Sequence, residues 1–217
     1  MVPYPPIEPT PVAVRFPEPR RGEDVIAVSR SLSPALVLEA YKSGIFPWPV
    51  RQGLVPWASP DPRAIFPLER PKPWPRTVRR ALKGDFRISI DEAFEEVMKA
   101  CSERRGEGTW ITPDIVSTYA ELHRLGWAHS VEVFDRSGRL AGGLYGVRVA
   151  GLFAGESMFY TQRDASKVAL MALVGMMRES GMSLLDVQWH TAHLASLGAI
   201  EVTREEYLRR LALALAD

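Results

Sequence analysis

Cysteine is almost absent. The single residue, Cys101 in a chain of 217, excludes internal disulfides and Cys-rich metal knuckles, and makes a reducing cytoplasm the expected setting. No sign of charge dominates either: 27 basic residues face 26 acidic ones. The chain is therefore not a polycation that coats nucleic acid indiscriminately, and any phosphate binding has to be local. The longest apolar run, Val168 to Met177, holds ten residues, about half of what a membrane span needs. Met1-Val2-Pro3-Tyr4-Pro5-Pro6 lacks the apolar stretch of a signal peptide, so neither a span nor export is expected. What remains is 46% hydrophobic and 24% charged with a mean hydropathy of -0.09. That composition suits a globular chain able to bury roughly 70 to 75% of its unfolded surface without staples.

Proline is abundant but confined. Seventeen of eighteen prolines lie between Pro3 and Pro75, and Pro113 is the only later one. Long regular elements are thus excluded from the first third. Its best helix runs from Pro34 to Ser43, with Ser33 as N-cap and Gly44 past the end. Beyond Arg76 the pattern becomes regular. Thr77 to Lys83 and Glu92 to Arg104 read as helices around a strand Phe86 to Ile90, with Asp91 capping the second. Thr112-Pro113-Asp114 opens a helix that Gly126 closes. Val131 to Phe134, Leu140 to Arg148 and Gly151 to Ser157 read as successive strands around a Ser137-Gly138 turn. Asp164 caps a long apolar helix to about Ser180, Leu184 to Gln188 is a strand, and Thr203 with Glu206 forms a capping box for the last helix. The reading is an α+β chain: a small proline-rich N-terminal domain, 1–75, and a larger domain, 76–217, built on a mixed sheet with at least one strand-helix-strand crossover.

Two features carry chemistry. From Arg63 to Arg87 there are eight basic and two acidic residues, a net +6 in a chain of total +1. Arg76, Arg79, Arg80 and Lys83 recur at helical spacing, a face that suits a phosphate backbone and equally a plain solvated surface. Trp48, Trp57, Trp74 and Trp110 lie around this stretch, and an indole can stack on an unpaired base or fill a core. Second, Glu156 interrupts an apolar strand end, and Asp186 and Gln188 stand two apart in the strand Leu184 to Gln188. Period two places those two on one face, with Leu185 and Val187 on the other. A carboxylate and an amide so placed suit the holding of an attacking amine, although each acid also suits a helix cap. His190 and His193 lack a convincing third metal ligand. Gly142, Gly143 and Gly146 do not form a phosphate loop, and Ser157, Ser166 and His193 form no nucleophile elbow.

Several blocks together resemble one family, the bacterial leucyl/phenylalanyl-tRNA--protein transferases. They are Gly44-Ile45-Phe46-Pro47-Trp48, Ser59-Pro60-Asp61-Pro62-Arg63, Thr109-Trp110-Ile111, Ala128-His129-Ser130-Val131-Glu132, Gly142-Gly143-Leu144-Tyr145-Gly146-Val147, Gly155-Glu156-Ser157-Met158-Phe159, Ala165-Ser166-Lys167, and Asp186 with Gln188 ahead of His193-Leu194-Ala195-Ser196-Leu197-Gly198-Ala199. The resemblance implies a small domain packed on an acetyltransferase-like (GNAT-related) domain. It implies transfer of Leu or Phe, with Met by size, from aminoacyl-tRNA to the α-amine of proteins beginning with Arg or Lys, marking them for degradation by the N-end rule. Carried over block by block, Trp48 and Trp110 would contact the terminal adenosine, Asp186 and Gln188 would serve catalysis, and Glu156 would help hold the acceptor. Leu144, Phe153, Met158, Leu170, Leu173 and Leu185 would line the side-chain pocket. Arg76, Arg79, Arg80, Lys83 and Arg87 would meet tRNA phosphates.

Tyr160 and the Trp57-Ala58 pair depart from the family's pattern, and the first thirty residues fall outside it. An aminoacyl ester is already activated, so no ATP, metal or other cofactor is expected. The protein has to supply orientation, a neutral amine and a proton acceptor. Asp186, oriented by Gln188, is the sequence candidate for that acceptor or for an electrostatic partner of the developing charge. An acyl-CoA-dependent N-acyltransferase is a rival reading, but Gln162-Arg163-Asp164-Ala165-Ser166-Lys167 lacks the glycines of a pyrophosphate loop. A non-catalytic adaptor for RNA or basic N-termini is the other. A monomer is expected.

Overall fold

The computed structural model describes residues 3–48, 53–69, 76, 85–103 and 110–216. The proline-dense first third supplies short elements: β1 (Val25–Ser29), α1 (Pro34–Lys42), β2 (Phe46–Pro47), β3 (Val55–Ala58) and β4 (Arg63–Phe66). Helix α1 starts as expected, with Pro34 in its first turn and the Leu36 N–H donating to Ser33 Oγ at 3.3 Å. Strands β1, β3 and β2 form a three-stranded antiparallel sheet in that order. The chain leaves it before residue 75, because β4 already belongs to the larger sheet.

The regular remainder gives β5 (Arg87–Ile90), α2 (Phe94–Ser102), α3 (Pro113–Leu125), β6 (Ala128–Phe134), β7 (Leu140–Val149), β8 (Leu152–Tyr160), α4 (Ala165–Glu179), β9 (Leu184–Gln188), α5 (Ala192–Leu197), β10 (Ile200–Val202) and α6 (Arg204–Ala216). The larger sheet has seven strands in the order β10-β4-β9-β8-β7-β6-β5. Every neighbour is antiparallel except the pair β8 and β9, which α4 connects. One apolar layer under α1, α2, α3 and α6 holds Leu38, Tyr41, Ile45, Val97, Met98, Tyr119 and Tyr207, and α4 closes the opposite face with Leu170, Leu173 and Val174. The outcome is a mixed α/β fold with a mixed sheet and a small N-terminal sheet.

Two expected caps are corrected. Helix α2 begins at Phe94 without a side-chain cap. Asp91 instead sits in a left-handed conformation, φ 58, and its carboxylate accepts from the Ser130 N–H at 2.9 Å and His129 Nδ1 at 2.8 Å. Glu132, wholly buried, reaches the start of α2 through the Ala93 N–H at 3.4 Å. Asp164 does precede α4, but with φ 73 and no capping bond; its carboxylate takes Lys167 Nζ at 2.8 Å. The capping box before α6 is half present. Thr203 Oγ1 accepts from the Glu206 N–H at 3.2 Å, while the Glu206 carboxylate binds Arg209 and Arg210. In both corrected cases a nearby side-chain or backbone donor outcompetes the helix terminus for a carboxylate, which sequence spacing alone does not register.

The first thirty residues are tied to the body. The Ile7 N–H donates to Leu125 O at 2.7 Å and Trp127 Nε1 to Ile7 O at 2.8 Å, while Phe16 packs its ring 5.1 Å from that of Trp57. Buried Arg204 donates to the carbonyls of Arg20, Glu23 and Ser59. Among the described residues, no helix is long and apolar enough to cross a membrane.

Candidate active site

Strands β8 and β9 pair only over Leu152 to Ala154 and Leu184 to Asp186. Beyond that point their C-terminal ends part. The opening is a cavity of about 1420 Å³ bounded by β2, α2, β8, α4 and β9. The carboxyl ends of parallel strands are a recurrent place for such a crevice in α/β sheets.

A β-bulge in each strand decides what faces this cavity. On β8, Tyr145 pairs with Ser157 and Gly146 with Gly155, which leaves Glu156 as the extra residue. On β9, Ala64 pairs with Gln188 and Ile65 with Asp186, which leaves Val187 extra. Bulges break the alternation of faces and re-aim side chains. Glu156 thereby reaches three donors: Tyr41 Oη at 2.5 Å, Tyr119 Oη at 3.1 Å and Gln188 Nε2 at 3.2 Å. The two hydroxyls lie 2.8 Å apart; each carries one proton, so beside an ionised Glu156 only two of these three oxygen contacts are hydrogen bonds at once, and a protonated Glu156 supplies the proton for the third. Burial pushes both tyrosines well above their usual range, so they remain protonated donors.

Glu156 itself is driven up to about 7, chiefly by desolvation, with Asp186 adding to the rise and Tyr41, Tyr119 and Arg63 opposing it. The residue keeps an intermediate accessible surface on the cavity side, so water there tempers the desolvation. A carboxyl group poised near neutrality at the wall of an apolar cavity can hold or release a proton at physiological pH.

Asp186 lies differently from the sequence expectation. Val187 and Gln188 line the cavity, and Asp186 does not. Its carboxylate is wholly buried and faces Arg63, which donates from Nε at 2.9 Å and from Nη2 at 2.6 Å. Tyr207 Oη adds a bond at 2.9 Å and the Gln188 N–H another at 3.0 Å. The shared face drawn for Asp186 and Gln188 is therefore split by the bulge, and no surface of Asp186 is open to an incoming amine. Neither Asp186 nor Glu156 caps a helix.

Arg63, which opens the basic run of the sequence, is 0% exposed. Its guanidinium lies 4.6 Å from the Phe46 ring and 4.3 Å from that of Tyr207, and Nη1 donates to Gly44 O at 3.1 Å. Burial alone would lower its pKa, but Asp186, joined by Tyr207 and Tyr41, more than offsets that and holds the charge. The block Ser59 to Arg63 was the one sequence signal for it.

Of the apolar pocket residues, Leu144, Met158, Leu170, Leu173 and Leu185 border the cavity. Phe153 does not; its ring lies over Gly146, where a Cβ would collide with it and with the Ala154 carbonyl. Phe159 and Val187 take wall positions that the sequence reading left out. At the mouth, Trp48 and Trp110 lie nearly parallel, their centroids 6.0 Å apart and their planes at 20°. Trp189, unforeseen in the sequence, meets Trp48 edge-on at 5.6 Å. Tyr160 is 60% exposed on the rim, whereas Trp57 is buried in β3, its Nε1 on Ser29 Oγ at 3.0 Å.

Among the basic residues, Arg76 is exposed, and Arg79, Arg80 and Lys83 lie outside the described residues. Arg87 has its fork on Glu92, at 2.6 and 3.2 Å, and stacks over Phe134.

Two family models match the chain: leucyl/phenylalanyl-tRNA protein transferase over residues 65–212, and the N-terminal domain of the same family over residues 30–61. This chain belongs to that family. The relative from Anaeromyxobacter dehalogenans (strain 2CP-C), a leucyl/phenylalanyl-tRNA--protein transferase, is 47% identical over 92% of this chain and 88% of its own. A leucyl/phenylalanyl-tRNA--protein transferase from Chlorobaculum parvum is 50% identical over 83% of this chain and 94% of its own. Among solved structures the likeness is faint. L-PGS from Bacillus licheniformis is 13% identical, with a TM-score of 0.41 over 63% of this chain and 50% of that one, too distant to carry an argument. The two family models meet between Asp61 and Ile65, the stretch in which the chain enters the larger sheet.

Proposed function

We propose that this aminoacyltransferase moves Leu, Phe or Met from aminoacyl-tRNA to the α-amine of proteins that begin with Arg or Lys, and so creates an N-terminal degradation signal. The observation that carries the reading is Glu156, a carboxyl group near pKa 7 at the wall of an apolar cavity whose mouth is formed by tryptophans. The family membership of the chain sets the donor class.

An α-ammonium group has a pKa of about 7.7 to 8.0. Proton transfer to Glu156 at about 7 is then uphill by about a unit or less, roughly 1.4 kcal/mol at most. A carboxylate at its ordinary value would be worse matched by several kcal/mol. The free amine attacks the ester carbonyl, the C–N bond forms, and the C–O bond to the ribose breaks. The second amine proton leaves with the ribose hydroxyl. Glu156 is thus the proton acceptor in this proposal, Gln188 orients it through Nε2, and Asp186 acts from behind through the Gln188 backbone rather than on the amine.

Trp48 and Trp110 offer faces for the adenine, and base stacking on aromatics is worth about 1–3 kcal/mol per base. Leu144, Met158, Leu170, Leu173 and Leu185 receive the aminoacyl side chain, whose burial contributes roughly 1.5–3 kcal/mol. The basic residues Arg76, Arg79, Arg80, Lys83 and Arg87 meet tRNA phosphates, with affinity that falls steeply with salt. The small sheet with α1 acts as an N-terminal domain that lends Tyr41 and Trp48 to the site; the passage between the sheets, ahead of residue 75, supports placing its end earlier than proline usage does. For the larger domain we propose the GNAT-related kinship, supported by an antiparallel run, a helical crossover and one parallel pair that splays open. A cytoplasmic monomer completes the proposal.

The test mixes the protein with radiolabelled phenylalanyl-tRNA and two peptides differing only in a first residue of Arg or Ala, without ATP. Label on the Arg peptide alone is expected. Label on neither peptide, with leucyl-tRNA also inert, overturns the reading.

A further inference from the structure

Gln188 occupies the left-handed region, φ 55, without being glycine, and the next residue closes a three-residue turn, the Trp189 N–H donating to Val187 O at 2.7 Å. A non-glycine residue holds such a backbone only when its surroundings impose it. The turn is what aims the Gln188 amide at Glu156 and at the cavity. The Asp186 carboxylate takes the Gln188 N–H at 3.0 Å, a contact made at the turn itself.

That carboxylate is in turn fixed from the N-terminal side of the chain. Arg63 stands beside Ala64, the strand partner of Gln188 across the bulge, and grips both Asp186 oxygens. Tyr207 from α6 holds Oδ2 at 2.9 Å. Arg63 is itself anchored on the Gly44 carbonyl and between two rings. All of these groups are removed from solvent.

We propose that Arg63 is a positioning residue for the transfer reaction, with Tyr207 as its second clamp: the two hold Asp186 so that Gln188 keeps the turn that presents its amide to Glu156. This rests on the function proposed above. Buried ion pairs are dispensable for stability when apolar groups of similar volume replace them, and a bidentate fork is the geometry that a point charge does not reproduce.

The experiment measures kcat and KM separately for Phe-tRNA and for an Arg-initiated peptide, in the wild-type chain and in Arg63→Lys, Tyr207→Phe, Gln188→Gly and the two double variants with Gln188→Gly. Gln188→Gly keeps the left-handed turn at little cost and lacks the amide. Arg63→Lys is expected to lower kcat at least tenfold and Tyr207→Phe threefold or more, with both KM values within about twofold. In the Gln188→Gly background neither substitution should lower kcat further, because the group they position is gone. A merely structural role would lower activity in both backgrounds. Effects that multiply, or a kcat within twofold of the wild type in both single variants, overturn the proposal. Where Arg63→Lys fails to fold, the Tyr207→Phe cycle decides. A wild-type chain that transfers nothing overturns the function itself, and the role of Arg63 in it, before any variant is compared.

Discussion

Replacing Glu156 by Gln should stabilise the protein at alkaline pH and not at acid pH. The Glu156 carboxyl sits at about 7 in the folded chain against an ordinary 4.5, so folding favours its protonated form. Its contribution to stability is fully present below about pH 4.5 and is lost as pH rises through 7. The difference of about 2.5 units corresponds to about 3.4 kcal/mol at 1.36 kcal/mol per unit, an upper value because the group is partly open to cavity water. A loss of about 1–3 kcal/mol is expected. Gln is neutral throughout, keeps an acceptor for Tyr41 and suffers no such loss. Urea unfolding of both proteins from about pH 5 to about pH 8 measures the gap, since groups common to both cancel. Stability of the variant relative to the wild type should rise by about 1–3 kcal/mol over that range. A gap constant to within about 0.5 kcal/mol would falsify the account of Glu156 as a buried carboxyl. The same titration should appear in wild-type kcat/KM, which climbs as pH rises through 7; in Glu156→Gln the rate should be low and that step missing.

Three further outcomes follow from particular contacts. Trp48→Ala removes one face of the aromatic mouth and should raise KM for Phe-tRNA roughly five- to a hundredfold, the equivalent of one stacked base, while KM for the acceptor peptide stays put. Gly146→Ala drives a methyl into the Ala154 carbonyl and the Phe153 ring and should cost about 1–3 kcal/mol or more in denaturant unfolding; a neutral result would mean that β7 and β8 shift freely. Thr112→Ala deprives the Ile115 N–H of its acceptor at the start of α3 and should cost about 1 kcal/mol, read as a lowered urea midpoint with unchanged KM values.

Much of the molecule was legible because its signals are local. Ser33 with Pro34, and Thr112 with Pro113, announced α1 and α3, since an N-cap needs only the next three residues. Gly126, with φ 90, ended α3 for the same reason. The alternation from Val131 onward gave β6, β7 and β8, although β6 starts three residues earlier, β7 ends one residue later and β8 ends three residues later than that pattern. Asp91 and Asp164 misled because a carboxylate at a helix start is free to choose a partner from elsewhere in the fold.

The candidate site residues were likewise visible in the sequence: Glu156, Asp186 and Gln188 stand out as polar groups in apolar strands, and the ordered blocks imply their family. Their roles were not. Period two put Asp186 and Gln188 on one face, and two bulges, set by how β7 and β4 pair with β8 and β9, turned Glu156 and Gln188 toward the cavity and Asp186 toward Arg63. Composition counts Arg63 only as one charge of a basic run, and tertiary packing against Asp186, 123 residues along the chain, makes it half of a buried ion pair. The sequence by itself determined α1 to α4, α6 and the bulk of β5 to β9, and singled out the polar side chains that interrupt apolar strands, because helix caps, turns and apolar periods act over a few residues; β1 to β4, α5 and β10 carried no such signal. Which carboxylate faces the cavity and which is sealed behind it was decided by strand register and long-range burial, and both depend on partners that no local pattern names.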